Sequence, residues 1–181
     1  MRRIYSISSV VISLGLSLVA APAFATGTFF VDSTTGNDAN NCTSADTACL
    51  TFAAAKTLMT ALPDPSNTTL KLKGTFTDQV LFDDSNVTAP DTLDGLRITA
   101  TDQSSQPTID TSVVGTAAVQ VSDIDHLTID HLIILGGIDG IVVTGNSSTY
   151  AADIALHHNS ITGIADESSA TAIELQYVKA V

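Results

Sequence analysis

The sequence has no tryptophan, and aromatic residues make up only 5% of its 181 positions. A core of helices packed through large rings is therefore disfavoured. Cations are also scarce, with 7 Lys+Arg against 19 Asp+Glu. Arg2 and Arg3 lie in the segment 1–25, which holds no acid, so the remainder carries 5 bases against 19 acids, near −14. Such a charge repels nucleic acid and anionic membrane, and it disfavours an anionic partner unless a cation bridges the two. Past position 25 no apolar run approaches the roughly 20 residues a spanning helix needs, which excludes a later transmembrane segment. There are only two cysteines, too few for a disulfide-dense scaffold or a cysteine-rich zinc site.

What is present begins with an export signal. Arg2 and Arg3 precede an uncharged, mostly apolar run from Ile7 to Ala20, then Pro22 and the small-x-small triplet Ala23-Phe24-Ala25. That layout predicts cleavage before Thr26 rather than a membrane anchor. The twin-arginine export motif is absent despite the two arginines. The mature chain, 26–181, fits one domain. Cys42 and Cys49 stand seven apart in a polar loop, which in an oxidising compartment predicts a local disulfide. The predicted location is outside the cytoplasm: secreted or at the cell surface, or in a periplasm.

Thr, Ser, Asp, Ile and Val dominate, a balance that favours strands and turns. Phe29 to Val31 reads as a strand. One helix is predicted from about Thr51 to Ala61, with Phe52, Ala55, Leu58 and Met59 at helical spacing, Thr51 as N-cap, and Pro63 and Pro65 beyond its end. After Pro65 short alternating runs follow: Leu70-x-Leu72, Val80-x-Phe82, Leu96-x-Ile98, Val119-x-Val121, Leu127-x-Ile129, Ile141-x-Val143, Ile154-x-Leu156 and Ile173-x-Leu175. They also repeat. Leu127 to Ile134 overlays Ile154 to Ile161 at an offset of 27. Leu96 precedes the first copy at an offset of 31, and Leu70 precedes Leu96 at an offset of 26. Ala118 to Val121, Gly140 to Val143 and Ala172 to Leu175 form a second series. Short strands at such a period predict a solenoid whose coils bury their apolar faces on one another. A β-sandwich shares the short strands but does not predict the repeat.

The segment Phe29-Phe-Val-Asp-Ser-Thr-Thr-Gly-Asn-Asp, with the two cysteines and the helix after it, resembles the opening of secreted bacterial right-handed parallel β-helix proteins of the pectate-lyase-like group. His126-Leu-Thr-Ile-Asp-His-Leu and Ile154-x-Leu-x-His-Asn-x-Ile161 are similar to their coil repeats. The resemblance implies an all-β, right-handed parallel β-helix with an N-terminal capping helix. Its divisions are a signal peptide (1–25), a cap (26–66) and coils (67–181). The chain stops at Val181 in a coil-like strand without a closing helix, which predicts a solenoid incomplete at its C-terminus that aggregates or dimerises through its last coil.

Several residues are candidates for chemistry. His126, His131, His157 and His158 lie in two neighbouring coils. The repeat offset stacks His131 on His158, where with Asp130 or Asp125 the pair could bind a transition metal; otherwise they are polar turn residues. Asn159 falls where Leu132 stands one coil earlier, and so predicts a structural amide bonding turn backbone. Arg97 points outward between inward Leu96 and Ile98. Lyases of the resembled group use an arginine base beside an aspartate-held calcium. The sequence shows no aspartate cluster at matching coil positions near Arg97, which then reads as a solvated charge. The paired Asp-Asp and Gly-His-Gly motifs of glycosidases with this fold are absent too. Gly136 to Gly140 is a turn, with no dinucleotide fingerprint. Asp32, Asp38 and Asn40 supply oxygen ligands in a loop that could take calcium; no other cofactor is expected. Outward positions such as Thr128, Ala155 and Ser160 are small or uncharged, which predicts a non-catalytic scaffold binding carbohydrate or a surface protein. The alternative is a polysaccharide lyase or glycoside hydrolase whose catalytic coils lie past Val181 or go unrecognised.

Overall fold

The computed structural model describes residues 27–83, 93–112, 116–145, 151–164 and 170–179. The expected signal at 1–25 lies outside them. Strand β1 (Thr28–Asp32) is followed by a 3-10 turn (Ala45–Thr47) and helix α1 (Phe52–Thr60). Short strands then succeed one another: β2 (Thr69–Lys73), β3 (Thr75–Phe76), β4 (Val80–Asp83), β5 (Arg97–Ala100), β6 (Thr108–Asp110), β7 (Val119–Ser122), β8 (Thr128–Asp130), β9 (Ile133–Leu135), β10 (Ile141–Thr144), β11 (Ala151–Ala152), β12 (Ala155–His157), β13 (Ser160–Thr162), β14 (Ile173–Gln176) and β15 (Val178–Lys179).

Every strand pairing among the described residues is parallel. The order β1-β2-β5-β8-β12 makes one sheet, β3-β6-β9-β13 a second and β4-β7-β10-β14 a third, with β11 and β15 as a small fourth. Each sheet therefore draws one strand from each successive pass of the chain, giving a parallel β-solenoid-like fold. The first sheet is called the front sheet below.

The apolar ladders follow from strand alternation. Leu70 lies beside Ile98, which lies beside Ile129; Phe76, Ile109 and Ile134 stack in the second sheet; Val80, Val119 and Ile141 stack in the third. All are buried in one continuous core. The offset of 27 recurs as Thr128 beside Ala155, and the offset of 31 as Arg97 beside Thr128. The earliest offset differs. Leu70 pairs with Ile98 and not with Leu96. Leu96 instead occupies the turn before β5, where it is buried and its N–H bonds the Leu93 carbonyl. Strands β3 and β6 went unforeseen because two or three residues carry too little alternation to register.

The turns before β2, β5, β8 and β12 each have a left-handed residue two positions ahead of the strand. These are Asn67, Gly95, His126 and Asp153, with φ of 55°, 77°, 55° and 54°. Asn, Asp, His and Gly are the types that tolerate this region. At Gly95 a Cβ would come within 2.5 Å of Asn67 Oδ1 and 3.1 Å of the Asn67 Cα, so a larger residue there would have to displace Asn67.

Helix α1 begins as its sequence requires. The Thr51 side chain accepts the Ala54 N–H, and Phe52, Ala55 and Met59 are buried. It packs on β1 and β4, and the Phe52 and Phe76 rings lie 4.6 Å apart. The Cys42–Cys49 disulfide, with Cα atoms 5.0 Å apart, closes a loop against β1. Phe30 N–H bonds Cys42 O at 2.7 Å, Cys49 N–H bonds Phe30 O at 2.9 Å and Asp32 N–H bonds Cys49 O at 2.9 Å. The free edge of β1, otherwise a template for unwanted pairing, is thereby occupied. At the opposite end of the third sheet, Ile173 and Leu175 of β14 are 47% and 50% exposed.

Candidate functional site

On the front sheet, alternation sends Leu70, Leu72, Ile98 and Ile129 inward. Lys71, Arg97, Thr99 and Asp130 take the opposite face. Register sets Phe30 beside Lys71, Lys71 beside Thr99, and Asp130 beside His157. A shallow groove of about 390 Å³ runs across this face, lined by Thr28, Thr69, Lys71, Arg97, Thr99 and Gln103 among others. Its walls are hydroxyls, an amide and two cations. Lys71 Nζ sits 5.6 Å from the centroid of the Phe30 ring, a cation–π distance that steadies the ammonium over the groove.

Arg97 is not a simple solvated charge. Its Nη2 lies 2.6 Å from Asp130 Oδ2, with the arginine side chain 46% exposed and the aspartate side chain fully covered. The sequence reading took Arg97 as a solvated charge with no aspartate cluster nearby; one aspartate, Asp130, is its partner. Asp130 is on the next strand, two residues beyond Thr128, the register partner of Arg97. Position 130 faces outward by alternation, which normally predicts exposure; Arg97, Thr99 and His131 cover it. Burial pushes the Asp130 carboxyl up, but the Thr99 hydroxyl, the Arg97 guanidinium and His131 outweigh that and hold it below the ordinary carboxylate range. His131 Nδ1 is 3.4 Å from Asp130 Oδ1. Thr128, Ala155 and Ser160 are uncharged, but cations stand elsewhere on the outer face. Lys71, Lys73 and Arg97, three of the five bases after position 25, lie on β2 and β5.

The histidines divide. His126 Nε2 pairs with Asp153 Oδ2 at 3.0 Å. His131 and His158 each follow directly on a front-sheet strand, with φ near 55°, and their rings stack with centroids 4.8 Å apart. His157 meets His158 edge-on, Nδ1 to Nδ1 at 3.0 Å.

The carboxylate oxygens of Asp32 and Asp38 are engaged within the protein. Asp32 Oδ1 accepts the Thr34 and Thr35 N–H groups, and Oδ2 accepts Thr35 Oγ1 and Lys73 Nζ, both at 2.8 Å. Burial pushes the Asp32 carboxyl up, yet Lys73 and the Thr34 and Thr35 donors hold it far below its usual range. Asp38 accepts the Leu50 and Thr51 N–H groups and the Thr51 hydroxyl, tying the loop to the start of α1. Asn40 donates its amide to Ala48 O. Among the described residues, no group of three or more His, Cys, Asp or Glu has a metal-holding arrangement. Asn159 Oδ1 accepts the Leu132 N–H at 3.1 Å and its amide donates to Ile129 O at 2.8 Å, bridging two passes of the chain.

No protein-family model matches the sequence, and no curated protein matches it. Among solved structures, the GH136 lacto-N-biosidase from Eubacterium ramulus, studied as a selenomethionine derivative, is similar with a TM-score of 0.58 at 19% identity. The match covers 76% of this chain and 27% of that one, so the chain spans about a quarter of the enzyme's length. At this identity the likeness concerns fold alone.

Proposed function

We propose that the chain is an extracellular right-handed parallel β-helix module that binds a polysaccharide along the front sheet. Residues 1–25 serve as the cleaved signal, 26–66 as the N-terminal cap and 67–181 as coils. The single observation that carries this reading is the groove. On a chain with net charge −12, Lys71 and Arg97 are gathered beside Thr28, Thr69, Thr99 and Gln103 in one open channel. Hydroxyls and amides suit sugar hydroxyls, and the two cations suit sugar carboxylates. The overall charge argues against an anionic ligand, but contact is decided locally, within a Debye length of about 8–10 Å. The disulfide and the likeness to a glycoside hydrolase fold support an extracellular setting.

Binding is preferred to hydrolysis because glycosidases place two carboxyl groups about 5–9.5 Å apart across the scissile bond. The residues lining this groove include none. Catalysis is the second reading, favoured by the fold of the lacto-N-biosidase. Affinity electrophoresis against carboxylated and neutral polysaccharides distinguishes the two. Retardation by carboxylated gels, weakened in Lys71→Ala and Arg97→Gln, supports binding. Release of reducing or unsaturated ends by the wild-type chain overturns it.

A further inference from the structure

The His157–His158 contact has a chemical consequence independent of the groove. A neutral imidazole carries one N–H and one lone pair. Two Nδ1 atoms facing at 3.0 Å therefore hold one hydrogen between them, donated by one ring and accepted by the other. With that proton displaced, a turn of the two exposed rings that makes both Nδ1 lone pairs converge would bring a metal ion within reach of both. With metal–nitrogen bonds of about 2.0–2.1 Å, a 3.0 Å separation subtends an angle of about 90° at the metal. That is the angle between adjacent positions of a tetragonal ion, and narrower than a tetrahedral one.

We propose that His157 and His158 form a two-ligand site for a tetragonal divalent ion, copper(II) before nickel(II), with water completing the coordination. Nitrogen ligands in tetragonal geometry are the signature of these two ions, and copper heads the affinity order. Three features support the site. Both rings are exposed to solvent. His158 is held in place by its stack on His131, by its left-handed backbone directly after β12 and by the Gln106 amide, which donates to its carbonyl at 3.1 Å. The acidic surface of the chain concentrates cations. Asp130 stays outside the coordination set, since Arg97 holds it. This revises the pairing expected from the repeat offset: His131 supports His158, and the second ligand is the neighbour in sequence.

The test is titration of the tag-free full chain with copper(II) in a weakly coordinating buffer, by calorimetry and electron paramagnetic resonance. One equivalent is expected, with a spectrum showing two coordinated imidazole nitrogens. Outer-shell partners of metal ligands already change affinity by about tenfold or more, so His157→Ala and His158→Ala should each weaken binding at least that much. His126→Ala, in the other exposed pair, should leave it unchanged. Circular dichroism confirms that the variants fold. The proposal is overturned if the wild type takes up no copper, if the spectrum lacks two imidazole nitrogens, or if either ligand variant binds like the wild type.

Discussion

Arg97 of β5 reaches sideways to Asp130 of β8, joining positions 33 apart in sequence through a 2.6 Å ion pair. The carboxylate is fully covered and the guanidinium half exposed. The pair thus anchors one wall of the groove from below while leaving arginine surface for a ligand.

Removing the two partners should have unequal effects. Arg97→Ala strands a covered carboxylate, and the loss expected is about 2–3 kcal/mol, below the roughly 3–5 kcal/mol typical of fully buried pairs because the arginine is half in water. Asp130→Asn keeps a hydrogen-bond acceptor for Arg97 and should lose less. Urea unfolding at neutral pH measures both, and equal losses would refute the asymmetry.

Acid should destabilise the fold through Asp32 and Asp130. Both carboxyls sit below their unfolded range near 4, so the unfolded chain binds protons first as pH falls. Their contribution is complete above about pH 5 and is lost progressively below about pH 4 as pH falls towards the folded values. Urea midpoints should therefore be flat from pH 7 to 5 and drop by pH 3.5. A midpoint that rises on acidification contradicts this.

Reduction of the Cys42–Cys49 disulfide, or Cys42→Ser with Cys49→Ser, should lower stability by about 2–3 kcal/mol, the range for a short closed loop. Hydrogen exchange at Phe30 and Asp32 should quicken in the same variant, since their N–H groups bond Cys42 and Cys49 carbonyls. Unchanged protection there would show that the loop holds β1 without the covalent link.

Asn159→Leu restores the residue type found one coil earlier and adds apolar volume. It should nonetheless destabilise by about 1–3 kcal/mol, because the Leu132 N–H and the Ile129 carbonyl lose their partner. A gain in stability by thermal melting would show that packing outweighs those two bonds.

Position along the stack should set the cost of core truncation. Ile129→Ala, at a fully buried central rung, should cost about 2–5 kcal/mol. Ile173→Ala, 47% exposed on β14, should cost under about 1 kcal/mol. Similar losses at both would mean that β14 is covered in solution, which light scattering can check.

Much of this architecture was legible in residue order. The alternation of Leu70-x-Leu72 or Val119-x-Val121 is a local property of one strand, and a strand with one buried face has little freedom to present it otherwise. The N-cap at Thr51 is likewise a matter of a few neighbouring residues. The repeat offset between Leu127 and Ile154 and the cysteine pair could be read for the same reason.

The candidate site was not legible, and the reason is physical. The outer face of a parallel sheet is assembled sideways, one residue from each pass, so its contacts depend on register and side-chain reach between segments a full coil apart in sequence. A small difference in register moved the partner of Leu70 from Leu96 to Ile98. Asp130 looked exposed by alternation and is covered by three neighbours. Sequence determined which residues would face inward and where the chain would turn, because both are decided within a few bonds. Only the tertiary structure decided that Arg97 meets Asp130, that Lys71 joins it along one groove, and that His157 turns its Nδ1 to His158.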